Sequence, residues 1–352
     1  MTIRHESTTE DTLGGIGEAA ALERIFPRLP AASAQLLGAG DDAAVVAAPD
    51  GRFVVTTDMM IHGPDFRLAW STPVDLGWKA AASNLADVAA MGAVPTALVV
   101  AIAAPENSPV SLLEGIADGF RLACAALSPG CGVVGGDLSV SSVLTIAVTA
   151  FGDLEGREPV LRSGARPGDI VAVSGLLGVA GAGIRLLFER GVDSHGTPDA
   201  ALAASLRTEY ADLINAQLAP RPPIADGRAA ALAGATAMID LSDGLAIDAC
   251  RVATASDVGI DLDSAALHSA ALHSAALDSA ALDSAALGGD PEQALAGAED
   301  HSLLAAFPPW TTLPAGFRAI GRVLAGTGLL LDGHPHGIGG WDPYRGWDGG
   351  RG

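Results

Sequence analysis

Aspartates recur at one kind of position along this chain. They stand in "GAGDDAAVV" (Asp41, Asp42), "VVTTDMM" (Asp58), "NLADVAAMG" (Asp87), "VVGGDLS" (Asp137) and "MIDLSDGL" (Asp240, Asp243). Each sits at or near the end of a hydrophobic segment, where a carboxylate is costly unless something neutralises it. Taken singly, each reads equally as a helix cap or turn residue, and Asp243 before "GLAIDACRVA" fits a cap. Taken together that reading weakens. The adjacent pair Asp41–Asp42 and the near pair Asp240–Asp243 repel unless cations lie between them. Hard divalent cations take oxygen ligands, and magnesium is usually held by a few carboxylates together with substrate phosphates. The residues therefore point to a magnesium–phosphate site. Asp58 and Asp137, each closing an apolar strand, are expected to face one cleft.

The phosphate half of such a site is less sharply marked. There is no GxxxxGK[ST] sequence, which excludes a P-loop enzyme. "SGLLGVAGAG" (Ser174 to Gly183) has glycines before a helix. It fits a phosphate cradle at a helix N-terminus, and it fits tight helix–strand packing as well. "GAGDDA" and "VVGGDLS" are better placed, because glycines just before an aspartate let backbone N–H groups approach an anion. Asn84 and Asp87 lie three apart and share one helix face. Arg162 in "LRSGARPGD" is either a phosphate contact or an exposed loop arginine. His334 and His336 form an HxH in a Gly-rich tail. No Ser-His-Asp or Cys-His arrangement is visible.

Composition narrows the partners. The chain has 352 residues, 49% of them hydrophobic, enough for two domains and a large core. A formal net charge of −21 repels nucleic acid and anionic lipid, so neither is an expected partner. The three cysteines, Cys124, Cys131 and Cys250, are far apart and odd in number. That excludes a disulfide framework and fits a reducing cytoplasm. "MTIRHESTTEDTLGG" lacks the apolar run of a signal peptide, and "TALVVAIAA" is too short to span a bilayer.

The elements that must position these residues alternate. "AAVVAA" and "FVVTTD" read as strands joined by the turn "PDG". "STPVDLGWKAAASNLADVAAMG" reads as a helix, with Thr72 as N-cap, Pro73 at the first position, Asp75 completing a capping box and Gly92 closing the end. "PTALVVAIAA" is a strand, "SPVSLLEGIADGFRLACAAL" a helix, and "CGVVGGD" and "SVLTIAVTAFG" are strands. The order β-β-α-β-α-β-β predicts an α+β sheet domain over residues 1–155. The loop "LEGREPVLRSGARPGD" marks a boundary, and a second, α/β domain follows over 156–345, with a tail at 346–352. Within it "DIVAVSG" and "ATAMID" are strands, "GIRLLFERG" and "LAIDACRVA" helices. The C-terminal "GHPHGIGGWDPYRGWDGGRG" is too Gly-rich for regular structure.

Residues 264–288 are low-complexity, SAALH-SAALH-SAALD-SAALD-SAALG. A step of five turns a helix by about 140°, so the leucines circle it instead of forming a stripe. The segment is expected to be an exposed helical or disordered expansion, with His268 and His273 as repeat residues, not ligands.

"GAGDDAAVV", "VVTTDMM", "KAAASNLADVAAMGAVPTALVVAIAAP", "VVGGDLS", "RSGARPGDIVAVSGLLG" and "IDLSDGL", in this order, together resemble the thiamine-monophosphate kinase family, within the aminoimidazole ribonucleotide synthetase superfamily. The resemblance runs from about Ile16 to Asp342, and the repeats stand out from it. It implies that ATP, as co-substrate, donates its γ-phosphoryl group to thiamine monophosphate, giving thiamine diphosphate by direct in-line transfer assisted by several magnesium ions. It implies a two-domain fold and a homodimer whose N-terminal sheets pair into a barrel. By the same resemblance Asp42, Asp58, Asp87, Asp137, Asp240 and Asp243 match magnesium ligands, with Thr56 and Thr57 as supporting oxygens. Gly136, Asp137, Arg162 and Ser242 match nucleotide contacts, and Asp65, Glu299 and Trp341 contacts to the acceptor. Three positions depart from the family pattern. Asp65 stands where the family has a His, with His62 displaced by three; Ala298 makes the family's GGED into "GAED"; and Pro343 lies in "WDPY". All three fall on the acceptor side. Two other readings are another enzyme of the superfamily with a different acceptor, and a non-catalytic ATP- or metal-binding dimer.

Overall fold

The computed structural model describes residues 11–37, 44–275 and 295–337, so the expectations for Asp41, Asp42, Trp341 and Pro343 lie outside the described residues. The N-terminal half is built on a four-stranded sheet of β3 (Val54–Ile61), β4 (Val94–Ala104), β5 (Gly132–Val140) and β6 (Thr145–Asp153), in the order β3-β6-β4-β5. Only the β4–β5 pair is parallel. α2 (Pro73–Ala90) and α3 (Val110–Leu127) cover one face, and α1 (Leu13–Ile25) lies beside α3. β1 (Gln35–Leu37) and β2 (Val45–Val46) form a separate antiparallel pair, so the two strands flanking "PDG" belong to different sheets.

α2 starts as the sequence predicts. Thr72 Oγ accepts from the Asp75 N–H, Asp75 returns a bond from the Thr72 N–H, and Pro73 opens the helix. Gly92 follows its end with φ 72°. Its crossing with α3 requires glycine: a Cβ at Gly77 would lie 1.9 Å from the Ile116 carbonyl, and one at Gly119 2.3 Å from that of Val74. Two apolar helices thus reach backbone contact. Leu76, Leu85, Val88, Ile116 and Phe120 bury against Leu98, Ile146 and Val148 of the sheet.

The C-terminal half carries a seven-stranded sheet, ordered β13-β12-β9-β11-β7-β10-β8. Its strands are β7 (Ile170–Ser174), β8 (Ala237–Leu241), β9 (Gly259–Leu262), β10 (Ser302–Phe307), β11 (Phe317–Leu324), β12 (Gly328–Leu331) and β13 (His334–Pro335). The helices are α4 (Val179–Arg190), α5 (Ala200–Glu209), α6 (Ala211–Leu218), α7 (Ile224–Leu232), α8 (Leu245–Ser256) and α9 (Ser264–Ala275). The strands β7, β8 and β10 are almost wholly apolar and buried on both faces. β13 places His334 in regular structure, where the glycine content predicts none; a two-residue pair with β12 suffices to order it.

The repeats also depart from expectation at their start. Leu267 and Ala270 of α9 are buried in the core with Ile260, Leu262 and Ile320. A period of five gives no continuous stripe, but two residues three apart share a face, and that is enough to dock the first turns of α9. Cys124 and Cys131 are both buried and both free. They fold together: a hydrogen bond to Cys124, then burial, holds the Cys131 thiol well above its usual value.

α2 joins the two halves. Asp75 takes both terminal nitrogens of Arg207, at 2.7 and 2.9 Å. Trp78 Nε1 donates to the Pro220 carbonyl at 2.6 Å and its ring lies under Arg221. Such a half-buried, bidentate pair between halves fixes orientation more than it adds stability.

Candidate active site in the cleft between the two sheets

A cleft of about 740 Å³ opens between β3 and α2 on one side and β8 on the other. Thr56, Asp87, Arg162 and Asp240 line it. β3 alternates, so Thr56, Asp58 and Met60 point to the helix-covered face. There the Thr56 hydroxyl donates to Asp87 Oδ2 at 2.9 Å, and the Asp58 N–H donates to Asn84 Oδ1 at 3.1 Å. Asn84 is buried and donates in turn to the Ala80 carbonyl. The shared face of Asn84 and Asp87, read from their spacing, is the face that clasps β3.

Negative charge in this cleft is only partly compensated. Burial, then the Asp240 and Asp58 carboxylates, push Asp87 up to about 7, against the bond from Thr56. Asp58 is open to solvent on one side, yet surrounding protein and the nearby Asp240, Asp243 and Asp65 raise it as well, with His301 opposing. Asp243 differs, because Arg251 Nη1 lies 2.6 Å from its Oδ2 and 2.6 Å from Asp248 Oδ1. Asp248 accepts the Asp243 N–H, and burial with the Asp240 charge pushes it up to about 6.

Among the described residues no three His, Cys, Asp or Glu side chains are gathered tightly enough to hold a metal ion by themselves. Spaced, mutually repelling oxygen donors suit magnesium, which keeps several waters and shares its shell with substrate phosphate. The donor set fits that ion.

Two expected ligands stand apart. Gly136 lies in line with Val100, Val148 and Asp58 across the sheet, so Asp137, in line with Ala101, Ala147 and Met59, is on the opposite face. β3 and β5 are three strand spacings apart, about 14 Å. Within one chain, then, Asp58 and Asp137 do not face one cleft. Thr57 shares that outer face, where it donates to the Val148 carbonyl and accepts from Thr149. The Gly-rich turn before α4 is also not an open phosphate cradle: the Asp300 carboxylate accepts the N–H groups of Gly178 at 2.5 Å and Ala180 at 2.9 Å. Asp300 is buried, and burial pushes it up to about 7 against those bonds.

Of the residues expected on the acceptor side, Asp65 and Glu299 are described, and they lie near each other. Glu299 Oε1 pairs with Lys79 Nζ at 2.8 Å, and Oε2 accepts from the Gln217 amide. The Glu299 N–H donates to the Ser242 carbonyl at 2.9 Å, which sets the loop against the end of β8. Burial opposes the Glu299 charge, but Lys79, Gln217 and His301 outweigh it and hold the carboxyl below its usual value. Asp65 is near enough that burial and Glu299 raise it, while its Oδ2 accepts the Ile61 N–H at 2.6 Å. His301 is buried, with Nδ1 3.6 Å from Asp240 Oδ2. Burial lowers it, but Asp240 and Glu299 outweigh that and hold it above its usual value.

The family models for AIR synthase related protein match this chain in two parts, the N-terminal domain over residues 40–154 and the C-terminal domain over 166–309. Thiamine-monophosphate kinase from Mycobacterium tuberculosis is 43% identical over 99% of this chain and 96% of its own length. The chain belongs to the thiamine-monophosphate kinase family. Thiamine-monophosphate kinase from Corynebacterium glutamicum is 38% identical over 92% of each chain. Among solved structures, thiamine-monophosphate kinase from Stenotrophomonas maltophilia matches with TM-score 0.70 and 29% identity, covering 90% of this chain and 97% of that one. AaThiL complexed with AMPPCP and TMP matches with TM-score 0.65 and 31% identity, covering 86% and 90%. The two-sheet architecture described above is therefore the fold of this family.

Sequence patterns missed Lys79, Gln217, Arg251 and His301. For Lys79 a signal existed: it is the lone cation in "GWKAAASNLADVAAMG", a stretch otherwise small and apolar. A cation buried in such a helix needs a counter-ion.

Proposed function

We propose that this chain transfers the γ-phosphoryl group of ATP to thiamine monophosphate, forming thiamine diphosphate and ADP. Membership of the family over nearly the whole chain supports this, and the observation that carries it is the convergence of Asp87 and Asp240 on the cleft that Arg162 also lines, with Asp58 near enough to act on Asp87.

The acceptor is a phosphate monoester with a second pKa of about 6, so it is largely ionised near neutral pH and needs no strong general base. Repulsion between two anions is the obstacle. Asp42, Asp58, Asp87, Asp137, Asp240 and Asp243, with Thr56 and Thr57, would hold magnesium, which when bound neutralises that repulsion and the charge on the transferring group. The chain's own part is orientation. Thr56 fixes the Asp87 carboxylate, Asn84 fixes the β3 backbone at Asp58, and Arg251 holds Asp243. Gly136, Arg162 and Ser242 are assigned to the nucleotide. Asp65, Glu299 and Trp341 are assigned to the acceptor.

The same reading includes a homodimer. The outer face of the N-terminal sheet exposes Val55 and Met59 beside Thr57, an apolar surface suited to a second copy. Asp137 and Thr57 lie on that face, so their place among the ligands rests on such a pairing. A division into domains at residues 155–156 and a cytoplasmic location complete the reading; no described helix is long and apolar enough to cross a membrane.

The test is an acceptor panel with ATP and magnesium. Thiamine monophosphate should be consumed, and thiamine or unrelated phosphate monoesters should not. Preference for another acceptor would move the chain to a different activity within the same fold.

A further inference from the structure

Glu299 is held with unusual firmness for a loop residue. Its backbone has φ 67° and the neighbouring His301 has φ 50°, both in the left-handed region. Strain of this kind persists only where surroundings over-determine it, and it gathers at functional sites. Here the surroundings are three separate elements: α2 through Lys79, α6 through Gln217 and the end of β8 through Ser242.

The two partners of the ion pair differ in access. The Lys79 side chain is 7% exposed and that of Glu299 32%. Lys79 is sealed behind the carboxylate and cannot reach a ligand, whereas Glu299 keeps an outer edge open. Both of its oxygens are engaged on the inner side and each retains acceptor capacity. Lys79 stands on α2, the helix whose later turns carry Asn84 and Asp87. One helix therefore positions both the Glu299 carboxylate and Asp87.

We infer that Lys79 is a positioning residue for the acceptor: with Gln217 it fixes the Glu299 carboxylate so that its open edge meets the cationic, nitrogen-rich portion of thiamine monophosphate. This rests on the kinase reading above. A carboxylate matches that part of the substrate in charge and in hydrogen bonding, and cannot serve the phosphate end, which it would repel. Fixing it beforehand removes the cost of ordering it on binding.

The experiment measures KM for thiamine monophosphate and for ATP separately, with melting temperature, for wild type, Lys79→Met, Lys79→Arg, Gln217→Met, Glu299→Gln and the double variant Lys79→Met/Glu299→Gln. Wild-type turnover comes first; if no thiamine diphosphate forms, the kinase reading itself fails. Given turnover, Lys79→Met should raise the acceptor KM about tenfold and leave the ATP KM within about twofold, the pattern of lost binding at one substrate. Lys79→Arg should recover part of the loss, and a purely structural strut would instead change both constants with the melting temperature. The double variant should be no worse than Glu299→Gln alone, because both act through one carboxylate. Gln217→Met, on another helix, should give the same split in direction, and it decides the matter if Lys79→Met does not fold. An unchanged acceptor KM in a folded Lys79→Met or Gln217→Met protein, or multiplying effects in the double variant, would overturn the assignment.

Discussion

The Thr56 hydroxyl donates to the Asp87 carboxylate across 2.9 Å, and this bond ties β3 to α2 at the mouth of the cleft. It stands one residue pair away from the bond between the Asp58 N–H and Asn84. Two aspartates from different elements are thus placed by neutral partners, and the charge of His301 only partly offsets theirs.

Asp58→Asn should separate function from stability. Losing a carboxylate that the surroundings push toward protonation relieves repulsion from Asp240 and Asp243, so the melting temperature should hold or rise. Transfer should fall by a factor of 100 or more, since electrostatic contributions at comparable sites are worth about 3 kcal/mol. Near-normal turnover in the folded variant would remove Asp58 from the mechanism.

The pH dependence of stability has a definite sign. An unfolded aspartate titrates near 3.9, whereas folded Asp87 keeps its proton to about 7. Between those values the folded state holds a proton that the unfolded chain has lost, so the contribution of Asp87 to stability falls as pH rises from about 4 to about 7. Asp248 and Asp300, pushed up to about 6 and about 7, act in the same direction. In chelator, Asp87→Asn should flatten the decline in melting temperature between pH 5 and 8, and magnesium should lift the wild type most at the upper end. An unchanged slope in the variant would show that Asp87 is not the group responsible.

Leu267→Ala tests where the repeats stop being dispensable. Leu267 is fully buried in the C-terminal core, so truncation should cost about 2–5 kcal/mol in denaturant unfolding. A cost under about 0.5 kcal/mol, the usual range for a surface change, would return α9 to the exposed expansion that its period suggests.

Met59→Glu should convert a dimer to monomers in light scattering. Met59 is 57% exposed on the outer sheet face, where a charge has no effect on the monomer core but opposes a second copy. A wild-type protein that is monomeric at micromolar concentration would contradict the pairing directly.

Much of this was readable from local pattern. The capping box at Thr72 and Asp75, the shared face of Asn84 and Asp87, and the alternation of strands and helices depend on neighbours in sequence, and they fold as their spacing predicts. What escaped depends on distant pairing. Lys79 meets Glu299 only because α2 packs on the C-terminal half, and Asp300 plugs the turn before α4 through a pairing of residues distant in sequence. The face taken by Asp137 turns on an irregularity in the β4–β5 register between Leu98 and Val99. A one-residue slip of that kind exchanges the two sheet faces, and no sequence pattern announces it. Leu267 was hidden for the opposite reason: its repeat has so strong a period that a single docked turn does not show through it.

The most direct measurement is a time course of both products with ATP, magnesium and thiamine monophosphate, resolved by chromatography. The account predicts that thiamine diphosphate and ADP appear in equal amounts, that neither forms in chelator, and that Asp87→Asn suppresses both together. ADP released with inorganic phosphate and no thiamine diphosphate, or ATP bound without turnover by the folded wild type, would contradict it.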